Sequence, residues 1–335
     1  MQKTLILYTG GTLGMRRSAS GYIPDADLQA LLEQLLADAG NELPDYDFIA
    51  LEQLLDSANM QPADWYRIAA RIAHNADRYS GFVVLHGTDT MAYTAAALSF
   101  ALQGFDRPVI VTGSQIPLRE MRSDAHNNLI AALLLSADSS LAEVSLYFNG
   151  KLLRGNRATK VSAGSLDAFA SPNYPLLGEV GIQVSLDRGA LLVPATERNF
   201  QLPEFADGGV ALLKLFPGIS PFFIGKLLEY RPRGLVIEAY GTGNAPSQDP
   251  AFAQQLEQAT QRGTICVAVS QCLESRVDLD KYAAGSALRD AGVIGGLDMT
   301  SEAAFTKLNH LLAMGLPESQ VRKLMTTPLC GECTP

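Results

Sequence analysis

Leu5-Ile6-Leu7-Tyr8-Thr9-Gly10-Gly11-Thr12 is the stretch on which the fold turns. Its apolar run is short and ends at once in two hydroxyls around two glycines, so it reads as a first buried strand. A secretory signal needs a longer apolar core and a small-residue cleavage site. No uninterrupted run of about 18 apolar residues follows anywhere, so no transmembrane helix is expected. The same grammar recurs twice. Residues 82–85 run into His86-Gly87-Thr88-Asp89-Thr90, and residues 109–111 run into Thr112-Gly113-Ser114-Gln115. Between these strands lie helical patterns: 27–39 with leucines at 28, 31, 32, 35 and 36, then 93–102 and 127–135. Strands alternating with helices predict a mostly parallel sheet covered on both faces.

The pattern then changes. Val144–Phe148 and residues 151–153 flank Asn149-Gly150, a two-residue hairpin signal, so the sheet is expected to be mixed. Residues 188–208 hold scattered Pro, Gly, Arg and Glu with weak periodicity and read as a linker. Strand patterns resume at 210–216, 234–239 and 264–270, and helical ones at 224–229, 251–262 and 305–314. The chain has 335 residues, about right for two domains. The expectation is an α/β protein: a larger N-terminal domain, 1–187, with a mixed, mostly parallel sheet flanked by helices, and a smaller C-terminal α/β domain, 209–335, with a parallel sheet.

Apolar residues make up 47% and charged residues 18%, ordinary for a globular protein with a sizeable core. A net charge of −9 argues against a nucleic-acid partner, which requires clustered Lys and Arg. Four cysteines in a chain of this size make no disulfide framework, and the cytoplasm is the expected compartment. Cys330 and Cys333 form a lone C-x-x-C without the further ligands of a zinc site or the strand–helix setting of a redox motif. They read as tail thiols with no role.

In an open parallel sheet the carboxyl ends of the strands face a common crevice where ligands bind. The three turns are thereby placed around one pocket, with glycines that let the backbone approach a ligand. Each turn also has a plainer reading, because Thr, Asp and Ser after a strand are ordinary helix N-caps. Neither a phosphate-binding Gly-Lys-Ser/Thr ending nor G-x-G-x-x-G follows Gly10-Gly11, and Gly-x-Ser-x-Gly is absent. His86 is as compatible with packing as with exposure, and the cysteines lie far from these turns in sequence. Threonine hydroxyls remain, and a hydroxyl nucleophile needs a base. Lys160, after the hairpin, is the best-placed candidate, since partial burial disfavours the ammonium. Most lysines, however, are solvated surface groups.

Thr9-Gly10-Gly11-Thr12 together with His86-Gly87-Thr88-Asp89-Thr90 resembles the paired signatures of bacterial-type L-asparaginases. The resemblance extends to Asp56-Ser57, Asn59-Met60, Gly113-Ser114, Arg157-Ala158-Thr159-Lys160, residues 240–246 and residues 292–300. It is similar to the cytoplasmic type I branch in particular. The resemblance implies that Thr12 attacks the side-chain amide carbon, with Tyr22 on a lid holding it. Thr88, Asp89 and Lys160 would form a proton-handling set. Ser57, Ala58, Thr88, Asp89, Ser114 and Asn244, the last from a partner subunit, would bind L-asparagine. An acyl-ester would form and be hydrolysed, giving aspartate and ammonia, with no metal or organic cofactor. It also implies a homotetramer built as a pair of dimers, with no nucleic-acid or membrane partner.

Some cytoplasmic members carry a second, activating asparagine site. Cys272 and Thr159 are the candidates for it here, but Glu238 stands where an arginine is expected, so activation is expected to be lost or altered. Two alternatives are a glutamine-hydrolysing ammonia donor subunit of a tRNA-dependent amidotransferase and a non-catalytic asparagine sensor.

Overall fold

The computed structural model describes residues 3–19, 21–25, 27–37, 42–194, 202, 209–280 and 283–335. It divides into two compact units, Met1–Leu202 and Pro203–Pro335. Most of the expected linker, 188–208, lies outside the described residues.

In the first unit, strand β1 (Lys3–Tyr8) leads through a hairpin of β2 (Met15–Ser18) and β3 (Gly21–Pro24) into helix α1 (Leu28–Leu36). Then come β4 (Asp45–Ala50), α2 (Pro62–His74), β5 (Gly81–Leu85), α3 (Met91–Ala101), β6 (Val109–Thr112) and α4 (Ala125–Ser136). The unit continues with β7 (Val144–Phe148), β8 (Lys151–Arg154), β9 (Thr159–Lys160), β10 (Phe169–Ala170), β11 (Gly178–Val180) and β12 (Val184–Leu186). Eight strands make one sheet in the order β12-β11-β8-β7-β6-β5-β1-β4. The strands from β4 to β7 are parallel and those from β7 to β12 antiparallel. The mixed, mostly parallel sheet read from the sequence is therefore present.

The period-2 alternation of a strand sends successive residues of β1 to opposite faces. Leu5 and Leu7 pack with Ile68 and Ile72 of α2 and Ala95 and Leu98 of α3. Ile6 and Tyr8 pack with Leu28 and Leu32 of α1 and Leu129 and Leu133 of α4. The chain leaving β1 thus passes to a helix on one face, and the chain leaving the adjacent β5 passes to the other. Such a switch opens a crevice at the strands' carboxyl ends. The reversal after β7 is made by Asn149 and Gly150, with φ of 48° and 83°, the two positive values that a tight hairpin needs.

Several elements carry no strong sequence signal. The β2–β3 hairpin lies in a stretch of mixed polarity, Met-Arg-Arg-Ser against Gly-Tyr-Ile-Pro, with no strand alternation. The edge strand β4, Asp-Tyr-Asp-Phe-Ile-Ala, is only partly buried. Helix α2 is set by Pro62 at its start and by reciprocal capping between Gln61 and Asp64.

The second unit is a four-stranded parallel sheet of β13 (Val210–Lys214), β14 (Gly234–Ala239), β15 (Ile265–Ser270) and β16 (Ile294–Gly295), in that order. Helices α5 (Pro221–Glu229), α6 (Pro250–Gln261), α7 (Ala283–Asp290), α8 (Ser301–Ala313) and α9 (Glu318–Met325) accompany it. Leu235 and Ile237 pack with Ile224, Phe252 and Leu256 on one face; Val236 packs with Ala304, Leu308 and Met325 on the other. The C-terminal segment belongs to this second core. Cys333 is buried, and Glu332 and Lys307, both fully buried, form an ion pair at 2.5 Å. The four cysteines are free thiols.

Candidate active site

The turn after β1 and the turn after β5 meet through glycine. Gly11 has a φ of 95°, and a Cβ on it would stand 2.3 Å from the Gly87 nitrogen. A Cβ on Gly87 would meet Ser57 Oγ at 2.5 Å. No side chain larger than hydrogen fits between these turns. Thr12 and Thr88 each follow one of the touching glycines, and Ser57, 3% exposed, stands against the second.

Helix capping does not account for the polar residues of these turns. Thr90 occupies the N-cap of α3 without capping it; its hydroxyl donates instead to the Ser57 carbonyl at 2.8 Å. Asp124 at the N-cap of α4 likewise makes no side-chain cap. In the second unit the corresponding residues do cap: Ser220, Asp249 and Thr300 each accept a backbone N–H. The side chains after β5 are thus left free for other partners.

Lys160 supplies that partner. It sits on β9, paired antiparallel with β10. Its Nζ donates to Thr88 Oγ1 at 2.9 Å and to Asp89 Oδ1 at 2.7 Å. Thr88 is buried, the Lys160 side chain 17% exposed and the Asp89 side chain 65% exposed. The three residues span a gradient from core to solvent, with the amine in the middle. Thr88 Oγ1 in turn donates to Gln115 Oε1 at 3.1 Å.

Among the described residues the Thr12 hydroxyl has no hydrogen-bond partner. Tyr22, on β3, donates its phenol to Glu120 Oε1 at 3.4 Å rather than to Thr12 and is 51% exposed. The hairpin base is tied down where the buried Asp25 meets Arg119. That guanidinium holds the Asp25 carboxyl below its usual range. Ser57 and Ala58 form a short turn in which Asp56 accepts the Ala58 N–H at 3.1 Å. Ser114 is fully buried and donates its hydroxyl to the Ile116 carbonyl at 2.7 Å. Thr159 lies beside Lys160 and is buried.

Supports that the sequence does not single out complete the first-unit site. His86 is fully buried, and burial pushes its pKa down to about 4. A carbonyl can only accept, so Nδ1, 2.7 Å from the Gly87 oxygen, carries the proton. Nε2 then accepts from the Thr94 hydroxyl at 2.9 Å. The neutral ring thereby fixes the Gly87 peptide just before Thr88. Asp124 accepts the N–H groups of Gln115 and Ile116 at 3.0–3.1 Å and the Asn128 amide at 3.2 Å. Nothing in the spacing of His86 or Asp124 distinguishes these supports from a packed histidine and an N-cap.

In the second unit, Asn244 closes a tight loop: its N–H and C=O both bond to the Tyr240 backbone, at 2.8 and 2.9 Å. Cys272 is exposed, and its N–H donates to Ser270 Oγ at 3.0 Å. Glu238 accepts from Ser301 Oγ at 2.6 Å and lies 3.6 Å from Lys214 Nζ. Among the described residues no group of three or more His, Cys, Asp and Glu is arranged to hold a metal ion, and no helix is long and apolar enough to cross a membrane.

Two family models match the chain. One, described as Asparaginase, N-terminal, covers residues 3–191; the other, described as Glutaminase/Asparaginase C-terminal domain, covers residues 209–325. The chain is 46% identical over 338 residues to L-asparaginase 1 of Escherichia coli K12, covering 100% of this chain and 99% of that protein. The solved structure of L-asparaginase I from Vibrio cholerae aligns with a TM-score of 0.91 at 42% identity, covering 100% of this chain and 99% of that one. A glutamyl-tRNA(Gln) amidotransferase subunit of Methanopyrus kandleri is 33% identical, covering 98% of this chain and 74% of that protein.

Proposed function

Because the chain belongs to the asparaginase family, we propose that it hydrolyses the side-chain amide of L-asparagine to L-aspartate and ammonia. The observation that carries this reading is the placement of the Lys160 amine between the Thr88 hydroxyl and the Asp89 carboxylate. Such a placement is what a hydroxyl needs in order to exchange a proton during acyl transfer.

In this reading Thr12 Oγ1 attacks the amide carbon. The C–N bond breaks, and the amide nitrogen leaves as ammonia, taking up the hydroxyl proton. A β-aspartyl ester on Thr12 remains. Water, deprotonated through Thr88 and Lys160, cleaves the ester and returns the proton to Thr12. The carbonyl oxygen passes through an oxyanion that requires fixed donors, and losing one such donor costs on the order of 3 kcal/mol in the barrier. The Thr88 main-chain N–H serves as donor, with the Ser114 carbonyl bordering the amide. Ser57, Ala58 and Asp89 hold the α-carboxylate and α-ammonium. Tyr22 steadies Thr12 once its phenol leaves Glu120. The working form is a cytoplasmic homotetramer, a pair of dimers in which Asn244 of the partner subunit completes each site.

Identity is 46% to L-asparaginase 1 of Escherichia coli K12 against 33% to the amidotransferase subunit, which favours hydrolysis over the ammonia-donor alternative. Purified protein is tested for ammonia and aspartate release from asparagine and from glutamine, with Thr12→Ala as control. Release from asparagine that vanishes in the control supports the proposal. No turnover of asparagine, or turnover unaffected by Thr12→Ala, refutes it. An acyl-ester trapped on Thr88 alone would reverse the order of the two threonines.

A further inference from the structure

We propose that Gln115 is a positioning residue of this site, one that fixes both the direction of the Thr88 hydroxyl and the seat of Lys160. The inference rests on the hydrolytic reading above and extends it to a residue outside the threonine–lysine–aspartate set.

A glutamine amide has one end that only accepts and one that only donates. Gln115 Nε2 faces two carbonyl oxygens, those of Ser165 at 3.1 Å and Ser162 at 3.5 Å. Carbonyls cannot donate, so the nitrogen must occupy that end and Oε1 must face Thr88. A flipped amide would set an oxygen against two oxygens. The acceptor turned towards Thr88 Oγ1 is thus determined by the loop behind it. Thr88 has a single hydroxyl proton. With Lys160 Nζ donating to its oxygen from one side, that proton goes to Gln115 on the other. The resting hydroxyl thus has one defined direction rather than a rotating one, and in the relay it turns to Lys160 only when the amine stops donating and accepts the proton.

The same amide also acts on the lysine. Residues 162–165 begin two positions after Lys160, in the connection from β9 to β10, and this stretch is largely exposed. Gln115 ties it to the turn after β6, and Lys151 ties its far end through Asp167 at 2.8 Å. The glutamine is itself rigidly based, since the buried Asp124 carboxylate accepts its N–H. One side chain therefore connects three parts: the β6 turn, the hydroxyl after β5 and the hairpin that carries the amine. A displacement of about 1 Å in such a set can lower a rate about 100-fold.

The test uses the full chain with Gln115→Met, which keeps the length and removes both polar ends, and Gln115→Glu, which keeps the shape and removes both donors. Steady-state ammonia release from L-asparagine gives kcat and KM, and thermal unfolding reports the fold. The expected result is a kcat reduced about tenfold or more in both variants, with KM within about threefold and an unchanged melting temperature. Wild-type kcat in either folded variant, or a raised KM at unchanged kcat, overturns the proposal. A wild type inactive on asparagine would refute the hydrolytic reading instead. An active wild type with equally active variants would refute only the role of Gln115.

Discussion

Gly11 and Gly87 pack backbone against backbone, so closely that a Cβ on Gly11 would also come within 2.4 Å of the Gly87 Cα. That contact joins the two turns that carry Thr12 and Thr88. Gly11→Ala therefore meets two obstacles, a positive φ and a backbone in the way. Gly21 has a similar φ, 107°, but open space around its Cβ position. Gly21→Ala isolates the backbone strain, about 1–3 kcal/mol. Gly11→Ala should cost clearly more in urea unfolding and abolish ammonia release. Equal losses in the two variants would mean that the turns separate freely.

Asp89 and Lys160 are joined by an ion pair whose acid is mostly exposed. Pairs of that kind contribute about 0–1 kcal/mol to stability. Asp89→Asn should accordingly leave the melting temperature nearly unchanged. Activity should nonetheless fall about 100-fold or more, because the lysine loses the partner that aims it at Thr88. A variant with wild-type turnover would show the pair to be surface decoration.

Glu238 has its carboxylate engaged by Ser301 and faced by Lys214, and it stands where the resemblance to activated asparaginases calls for an arginine. The rate is expected to rise hyperbolically with asparagine concentration. A sigmoidal curve that becomes hyperbolic in Cys272→Ala would show that an activating site survives.

His86 and His310 are buried, and desolvation pushes both down to about 4 from 6.5. Between these values the unfolded chain takes up protons that the native state refuses, so stability falls as the pH drops through that window. Each histidine contributes up to about 3 kcal/mol, present above about pH 6.5 and lost by about pH 4. Urea unfolding at about pH 7 and about pH 4.5 measures this. A flat profile would mean that both rings find a proton acceptor in the native state.

The buried part of this fold was legible in the sequence wherever period and composition agreed. Residues 82–85, Val109–Thr112 and Val144–Phe148 are mostly apolar and buried throughout because both faces of their sheet are covered. The Asn149-Gly150 reversal was legible because few residue pairs tolerate two positive φ values. Strand β4 and the β2–β3 hairpin were not, since half-exposed edges carry mixed polarity. The site was legible only in outline. Thr88, Asp89 and Thr90 match an N-cap as well as a catalytic turn, and only the position of Lys160, 71 residues beyond Asp89, separates the two. Gln115 and His86 act through long-range partners that no local spacing encodes.

Lys307 and Glu332 illustrate the same blindness at the C-terminus, where Cys330 and Cys333 read as loose tail residues. Glu332 between them is fully buried and accepts the Leu329 and Cys330 N–H groups at 2.9–3.0 Å as well as pairing with Lys307. Lys307 also donates to the carbonyls of Met325 and Thr327 at 3.2 and 2.8 Å. Breaking a buried pair from one side leaves a charge without a counter-charge and typically costs about 3–5 kcal/mol. Glu332→Gln and Lys307→Met should each destabilise the second unit by about that amount in urea. Removing both charges together leaves no stranded ion, so the double variant should be more stable than the sum of the singles predicts by about 1 kcal/mol or more. Strict additivity would show that the tail is held by its backbone bonds and apolar contacts alone.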